Sequence, residues 1–485
     1  MSRLILSAIA VLMAGCMVGP NYSRPTVDIP QSFRFEEKEA RDTANTDWWK
    51  QFDDPVLDAL IAEALANNKT VKIAAANIEQ AAGVLMQTRA PLFPQISYGG
   101  NALRERLSQS NAIPLTPGIP NPQASFQLFA GASWEIDLWG RIRRLTESSQ
   151  ASLFASVEAR YGVILSLVAS VATSYIQLLA LDEQLEIAKR TLSTWGETVD
   201  QFELKFKHGQ VSAMTVEQAK SQYETAEAAI PPIKAQIVQT ENGISILLGR
   251  NPGPIERGSQ TLSRLRLPDV PSGLPSQLLE RRPDIAQAEQ NLIAANAQIG
   301  AAQALYFPTI SLTGALGTSS SQLHNLFTGP ARMWTYAGSF TGPIFTAGLI
   351  AGQVKQAEGA QKAALISYEN VIQVAFSDVE NALSTHAELF DQLKAQDRLV
   401  KALKEYARLA RMLYDQGYTQ YLTVLYAEEQ LFPAELSYAQ IQGSALASLV
   451  SIYQAMGGGW ICNAEKLTGV QPESGVSPWN PAITW

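Results

Sequence analysis

The chain has 485 residues, a net charge of −8, three histidines and two cysteines. The acidic balance argues against nucleic acid as a partner. His208, His324 and His386 stand far apart in no metal-ligand spacing, Cys16 and Cys462 cannot form a disulfide framework, and no nucleophile triad or phosphate loop is present. No enzymatic activity and no cofactor are therefore expected.

In chain order, the first element is a processing signal. Arg3 supplies a thin positive start, and residues 4–13 form an apolar run too short to span a bilayer. It ends in Leu12-Met13-Ala14-Gly15-Cys16, which resembles a lipobox with methionine where leucine is usual. Residues 1–15 are read as a signal peptide and Cys16 as the acylated residue. The alternative is an ordinary secretory signal with a chance cysteine. Met17 takes the place where an aspartate would resemble an inner-membrane retention signal, which favours the outer membrane. Residues 16–55 form an extended, lipidated segment.

A helix is expected over residues 56–90, and a matching one over 275–305. Each leads into two segments with period two. Ile96, Tyr98, Gly100 and Ala102 form one face of the first; Phe126, Leu128, Ala130, Ala132, Trp134, Ile136 and Leu138 form one face of the second. Ile310, Leu312, Gly314 and Leu316, then Trp334, Tyr336, Gly338 and Phe340, do the same for the third and fourth. The alternate positions are mostly small and polar. Lipid-facing strands of a membrane β-barrel with a wet lumen have this pattern, and so do half-buried strands of a soluble antiparallel sheet. The connections 104–123 and 318–332 are rich in Pro, Ser, Asn and Gly and read as exposed loops. In lipid a four-stranded sheet cannot leave its edges open, so several chains must share one barrel. A dimer gives about eight strands and a trimer about twelve; a conducting lumen favours the trimer.

After each strand pair comes a long helical hairpin. Residues 141–208 and 346–416 are each read as one helix of about 70 residues, so about 100 Å long. In the first, Leu178, Leu181, Leu185, Ala188, Leu192, Trp195, Val199, Phe202 and Phe206 are spaced by threes and fours, a heptad seam. The chain turns at His208-Gly209, and Val216, Ala219, Tyr223, Ala226, Ile230, Ile233 and Ile237 begin the return seam. The pattern recurs about 208 residues on, through Val400, Leu403, Ala407, Ala410 and Tyr414, the turn at Gln416-Gly417, and Val424, Ala427, Leu431, Ala434 and Tyr438. The chain is a tandem duplication. Residues 56–250 and 275–457 are the two repeats, 251–274 a linker and 458–485 a tail. Pro231-Pro232 and Pro433 should kink or loosen the return helices. Residues 163–180 are uncharged and long enough for a transmembrane helix, but they continue the heptad phase and are read as buried among helices. The non-periodic segments 20–50, 250–274 and 457–485 are placed outside the helical wall.

These residues resemble the outer-membrane efflux protein family, the TolC-like exit ducts, and in particular its lipoprotein branch. The resemblance covers nearly the whole mature chain. It is carried by Gly273-Leu274-Pro275 through Arg281-Arg282-Pro283-Asp284-Ile285, by Ala294–Ala302 running into Phe307-Pro308-Thr309-Ile310, and by Trp134-Glu135-Ile136-Asp137-Leu138-Trp139-Gly140-Arg141. Pro343–Gly348 and Leu431-Phe432 with Gly457-Gly458-Gly459-Trp460 complete it. It implies a mainly α protein with a membrane β-barrel: a homotrimer with a shared 12-stranded barrel in outer-membrane lipid and a helical periplasmic tunnel. Its partners would be a periplasmic adaptor and an inner-membrane pump, and its function the outer-membrane channel of a tripartite efflux system. An exit duct for type I protein secretion would look the same; a structural coiled-coil lipoprotein would have no use for lipid-facing strands. The tips would close to an aperture. Leu422 matches the family's leucine there, Tyr426 stands where it often has aspartate, Thr215 falls at its acidic position on the first hairpin, and Tyr414 keeps its tyrosine. Glu217, Asp415, Glu428 and Glu429 lie nearby and offer another source of negative charge at the mouth. Gly209 and Gly417 mark the tips, where a left-handed turn is expected and where the family contacts its adaptor.

Overall fold

The computed structural model describes residues 17–30, 32–34, 46–108, 120–258, 261–266, 275–458 and 460–469. The signal-like run with Cys16, most of the proline-rich connection after Arg104, and the tail beyond Gly469 lie outside the described residues.

Helices α1 (Pro55–Asn67) and α2 (Lys69–Arg89) precede strands β1 (Gln95–Glu105) and β2 (Gln123–Ile136). Helices α3 (Arg141–Lys207) and α4 (Ala213–Leu247) form the first hairpin. The same order returns as α5 (Pro275–Arg281), α6 (Pro283–Gln303), β3 (Thr309–Ser320), β4 (Arg332–Thr341), α7 (Leu349–Asp415) and α8 (Tyr421–Met456), followed by α9 (Ile461–Leu467). Helices α3 and α7 both contain 67 residues, and their bounds are 208 apart at both ends. The duplication is thus present in the backbone as well as in the side-chain pattern.

The chain forms two compact units. One comprises Met1–Thr26, Ile78–Ala155 and Ala288–Tyr368; the other comprises Val27–Asn77, Ser156–Gln287 and Glu369–Trp485. The first holds a single antiparallel sheet in the order β1-β2-β3-β4. Its register aligns the four period-two patterns. Tyr98 faces Ala130, Ala130 faces Leu316, and Leu316 faces Trp334, so the apolar positions of all four strands share one face. That face is bare: Tyr98 is 89% exposed, Ile96 82% and Tyr336 78%. The edges β1 and β4 are unpaired among the described residues.

The strand-to-helix joint explains the Trp134–Arg141 motif. Arg141 donates to both carboxylate oxygens of Glu135 at 2.9 Å. Asp137 accepts from the backbone N–H of Ile142 at 3.0 Å and of Arg143 at 2.9 Å, capping the start of α3. Trp139 donates from its indole to the Pro308 carbonyl at 2.7 Å and stacks on Phe307, with centroids 4.6 Å apart. Gly140 takes φ +77°, where any Cβ would meet Met17.

The second unit is helical. Its largest core gathers Ile164, Val168, Val171, Ala172, Tyr175, Ile176 and Leu178 of α3. The uncharged run 163–180 is therefore a packed core stretch, as its heptad phase requires. Non-periodic segments add to the same core through Trp48, Trp49, Ile255, Leu262 and Trp460. Trp48 stacks on Tyr453 at 5.1 Å, and Trp460 meets Trp49 edge-on at 5.2 Å.

Three expectations need correction. The non-periodic segments 20–50, 250–274 and 457–485 do not all stay outside the helical wall, because their large apolar side chains Trp48, Trp49, Ile255, Leu262 and Trp460 are buried in the core with α3. The helix expected over 56–90 is two helices, because the side-chain oxygen of Asn68 accepts from the backbone N–H of Thr70 at 2.8 Å and of Val71 at 3.1 Å and starts a new one. The helix expected over 275–305 breaks at Arg282, where Pro283 opens α6. Apart from these, helices α4 and α8 carry Pro231-Pro232 and Pro433 in their interiors and are helical on both sides of them. The carbonyls those prolines leave without a helical donor belong to Glu227, Ala228 and Glu429, all at exposed positions where water can serve them.

Arg282 accounts for the Arg-Arg-Pro-Asp stretch. Its buried guanidinium donates to Asp284 at 2.6 Å, to Asp378 of α7 at 3.0 Å and to the Ala455 carbonyl of α8 at 3.0 Å. One cation thus ties the start of α6 to two other helices.

Candidate functional site

The tips of the two hairpins are built alike. In the first, the N–H of Gln210 donates to the Lys205 carbonyl at 2.9 Å and that of Gly209 to the Phe206 carbonyl at 2.8 Å. In the second, the N–H of Tyr418 donates to the Leu413 carbonyl at 2.8 Å and that of Gly417 to the Tyr414 carbonyl at 2.9 Å. Both are Schellman ends, and they need a left-handed residue. Gly209 supplies φ +71° and Gly417 φ +80°, so the glycines are fully explained by the turn.

Beneath the tips the hairpins share a core. Trp195 and Phe202 of α3 and Val216 and Ala219 of α4 pack with Ala407 and Ala410 of α7 and Tyr421, Val424, Leu425 and Ala427 of α8. The Phe202 ring meets Tyr421 edge-on at 4.5 Å, and Tyr414 lies 5.5 Å from Tyr421. The Lys205 ammonium sits 5.5 Å from the Phe202 centroid and 5.7 Å from that of Tyr414. Burial raises the pKa of Tyr421, with the charge of Glu428 adding to it, and burial raises that of Tyr414 as well. Both therefore remain neutral phenols at ordinary pH. Sequence reasoning missed Tyr421. It is the first residue of α8, before any periodicity on that helix has accumulated.

The four expected aperture residues do not form one cluster. Leu422 and Tyr426 are exposed on α8, one turn apart on the side away from the core formed by Val424, Leu425 and Ala427. Tyr414 packs into the aromatic group instead. Thr215 belongs to the first turn of α4, where its N–H donates to the Ser212 hydroxyl at 3.3 Å and its own hydroxyl lies 3.2 Å from it. Of the acidic residues near the mouth, Glu428 is half-buried and 3.9 Å from Arg411. Burial raises its pKa, and Arg411 opposes the rise.

Higher on the hairpins, buried Glu435 of α8 accepts from Arg190 of α3 at 2.9 Å and from Lys404 of α7 at 2.8 Å. These three line a groove of about 260 Å³ together with Trp195, Glu428 and Phe432. No cluster of metal-ligating side chains occurs among the described residues.

The sheet is the second functional element. Its face opposite the apolar one carries Ser97, Asn101, Gln127, Ser133, Thr313, Ser311 and Ser339, the last two with hydroxyls 2.6 Å apart. One face suits hydrocarbon and the other suits water.

A family model described as outer membrane efflux protein matches residues 60–250 and 274–458. The chain is 33% identical over 465 residues to the cation efflux system protein CusC of Escherichia coli, covering 94% of this chain and 99% of that one. It is 34% identical over 466 residues to the toluene efflux pump outer membrane protein TtgC of Pseudomonas putida, covering 95% and 96%. Among solved structures, the open state of the Neisseria gonorrhoeae MtrE outer membrane channel superposes with a TM-score of 0.82 at 32% identity, covering 92% of this chain and 98% of that one.

Proposed function

The chain belongs to the outer membrane efflux protein family, and on that premise we propose that three copies close their sheets into one conduit across the bacterial outer membrane. As a member of that family it is the outer-membrane channel component of an efflux system. The observation that carries the trimeric reading is the sheet: a bare apolar face, a small polar face and two edges unpaired among the described residues. Such a sheet suits neither water nor lipid as an open unit. Because the sheet holds an even number of antiparallel strands, β1 of one copy runs antiparallel to β4 of the next. Any number of copies can therefore join. Two copies give about eight strands, whose interior side chains fill; three give about twelve and leave a lumen.

In this reading the helical hairpins of three copies form the periplasmic tunnel. Their tips meet a periplasmic adaptor and, through it, an inner-membrane pump. Cys16 carries a lipid that anchors the N-terminus in the outer membrane. Leu422 and Tyr426, exposed on one face of α8, line the closed aperture. The cargo follows from the pump, since relatives with the same duct are named for cargo as different as cations and toluene.

The test is the mass and conductance of the full-length protein purified in detergent. Three chains per particle and discrete single-channel currents in planar bilayers are expected. A stable monomer with its strands intact would refute the shared barrel.

A further inference from the structure

One large ring stands on the polar face of the sheet. Phe129 pairs with Gly99 of β1 on one side and with Gly317 of β3 on the other. A Cβ added to Gly99 would come 2.8 Å from Phe129 Cζ, 3.2 Å from Cε1 and 3.4 Å from Cε2. Near-equal distances to three ring atoms mean that the ring covers Gly99 with its face instead of pointing at it. Glycine at 99 is what allows the ring to lie there. The opposite face of the ring is turned away from the sheet. Around it the polar face is made mostly of hydroxyls, amides and small residues, with Leu103 two rows along β1 and Met333 two strands away on the same row. The charged residues on this face of the four strands are both carboxylates, Glu105 and Glu135. Glu135 is held by Arg141, while Glu105 accepts from the uncharged Gln123 amide at 3.1 Å.

We infer that Phe129 is a contact station in the barrel lumen for flat organic cations, one π-face per protomer at mid-strand. The inference rests on the shared-barrel reading above, which makes the polar face the lumen. The chemistry is that of an aromatic face in a channel whose fixed charge is acidic. The ring quadrupole attracts a cation, its apolar surface accepts a planar aromatic solute, and the Glu105 carboxylate on the same face, which no cation pairs among the described residues, favours positive charge. A hydroxyl-lined wall without the ring would offer such a solute no preferred position.

The test uses the full-length protein in detergent with ethidium as the probe, binding being read by fluorescence anisotropy. Phe129→Leu keeps an apolar side chain and removes the π-face; Phe129→Tyr keeps the ring. Ethidium affinity is expected to fall roughly two- to fivefold in Phe129→Leu, the effect of one solvent-accessible cation–π contact, and to be retained in Phe129→Tyr. Mass measurement of each variant accompanies the binding. An intact trimer in which Phe129→Leu binds ethidium as the wild type does would overturn the inference and leave the barrel standing. A monomeric wild type would overturn both.

Discussion

Glu158 on α3 gives the most quantitative prediction. Its carboxyl is raised from the ordinary value of 4.5 to about 7, first by burial and second by the nearby charge of Glu465. Glu465 belongs to α9, which is fastened to α3 by Arg160 at 2.8 Å and by the Tyr161 hydroxyl at 3.2 Å. A group whose folded pKa lies above its unfolded one favours the folded state at low pH. Its contribution is fully present below about 4.5 and is lost as pH rises through about 7. At ~1.4 kcal/mol per pKa unit the shift corresponds to about 3 kcal/mol, reduced to about 2 kcal/mol because part of the side chain remains in contact with water. Glu158→Gln removes the titrating proton and keeps the volume. The wild type should lose thermal stability between pH 5 and pH 8, and the variant should lose about 2 kcal/mol less over that range. Melting in detergent at the two pH values, followed by circular dichroism, measures the difference. Equal pH slopes for the two proteins would show that Glu158 titrates normally, and the desolvation argument would fail.

Other substitutions test the remaining elements. Tyr426→Ala should raise single-channel conductance, and Tyr426→Asp should increase cation selectivity, since a ring of carboxylates attracts cations; unchanged currents in both would mean that Tyr426 does not face the pore. Gly317→Ala should impair barrel formation by roughly 1–3 kcal/mol, because the added Cβ would collide with the Leu128 carbonyl oxygen and come within 2.7 Å of Phe129 Cα; the trimer yield in detergent reads this. Arg282→Met should lower stability by about 2–3 kcal/mol by leaving Asp284 and Asp378 facing each other uncompensated, and a melting temperature equal to the wild type would contradict that role. Cys16→Ser should abolish labelling by radioactive palmitate, and labelling that persists would place the lipid elsewhere.

Much of the fold was legible because two periodicities are physical necessities. A strand exposed to different media on its two faces must alternate, and the four alternations fall on one face in the observed register. A two-helix seam must repeat by threes and fours, and Val216, Ala219, Ala226, Ile233 and Ile237 are all buried where the seam predicts. What periodicity cannot encode was missed. Asn68 and Arg282 interrupt helices whose apolar spacing continues on both sides, so only the capping chemistry of Asn68 and the Arg282-Pro283 pair mark the breaks. Trp48 and Trp460 occupy the centre of a core from segments with no repeat at all. The aromatic group of Phe202, Tyr414 and Tyr421 is assembled by the turn geometry of two hairpins, which no local pattern reports.

The duplication also bears on the proposed aperture. At the 208-residue offset, Tyr421, Leu422 and Tyr426 on the second hairpin correspond to Ala213, Met214 and Gln218 on the first. Two near-identical hairpins per chain would place six similar tips around a trimer. The bulky aromatic positions have been given to only one of the two. Tyr421 turns inward and, through Phe202, packs the second hairpin against the first. Leu422 and Tyr426 remain on the outer side of the same helix, unused by that core. Leu422 and Tyr426 are bare beside that filled seam, as is Met214, the first hairpin's counterpart of Leu422. In a trimer that face acquires a function if it meets two copies of itself about the threefold axis. The constriction would then be made by three second hairpins, with the first hairpins as their support.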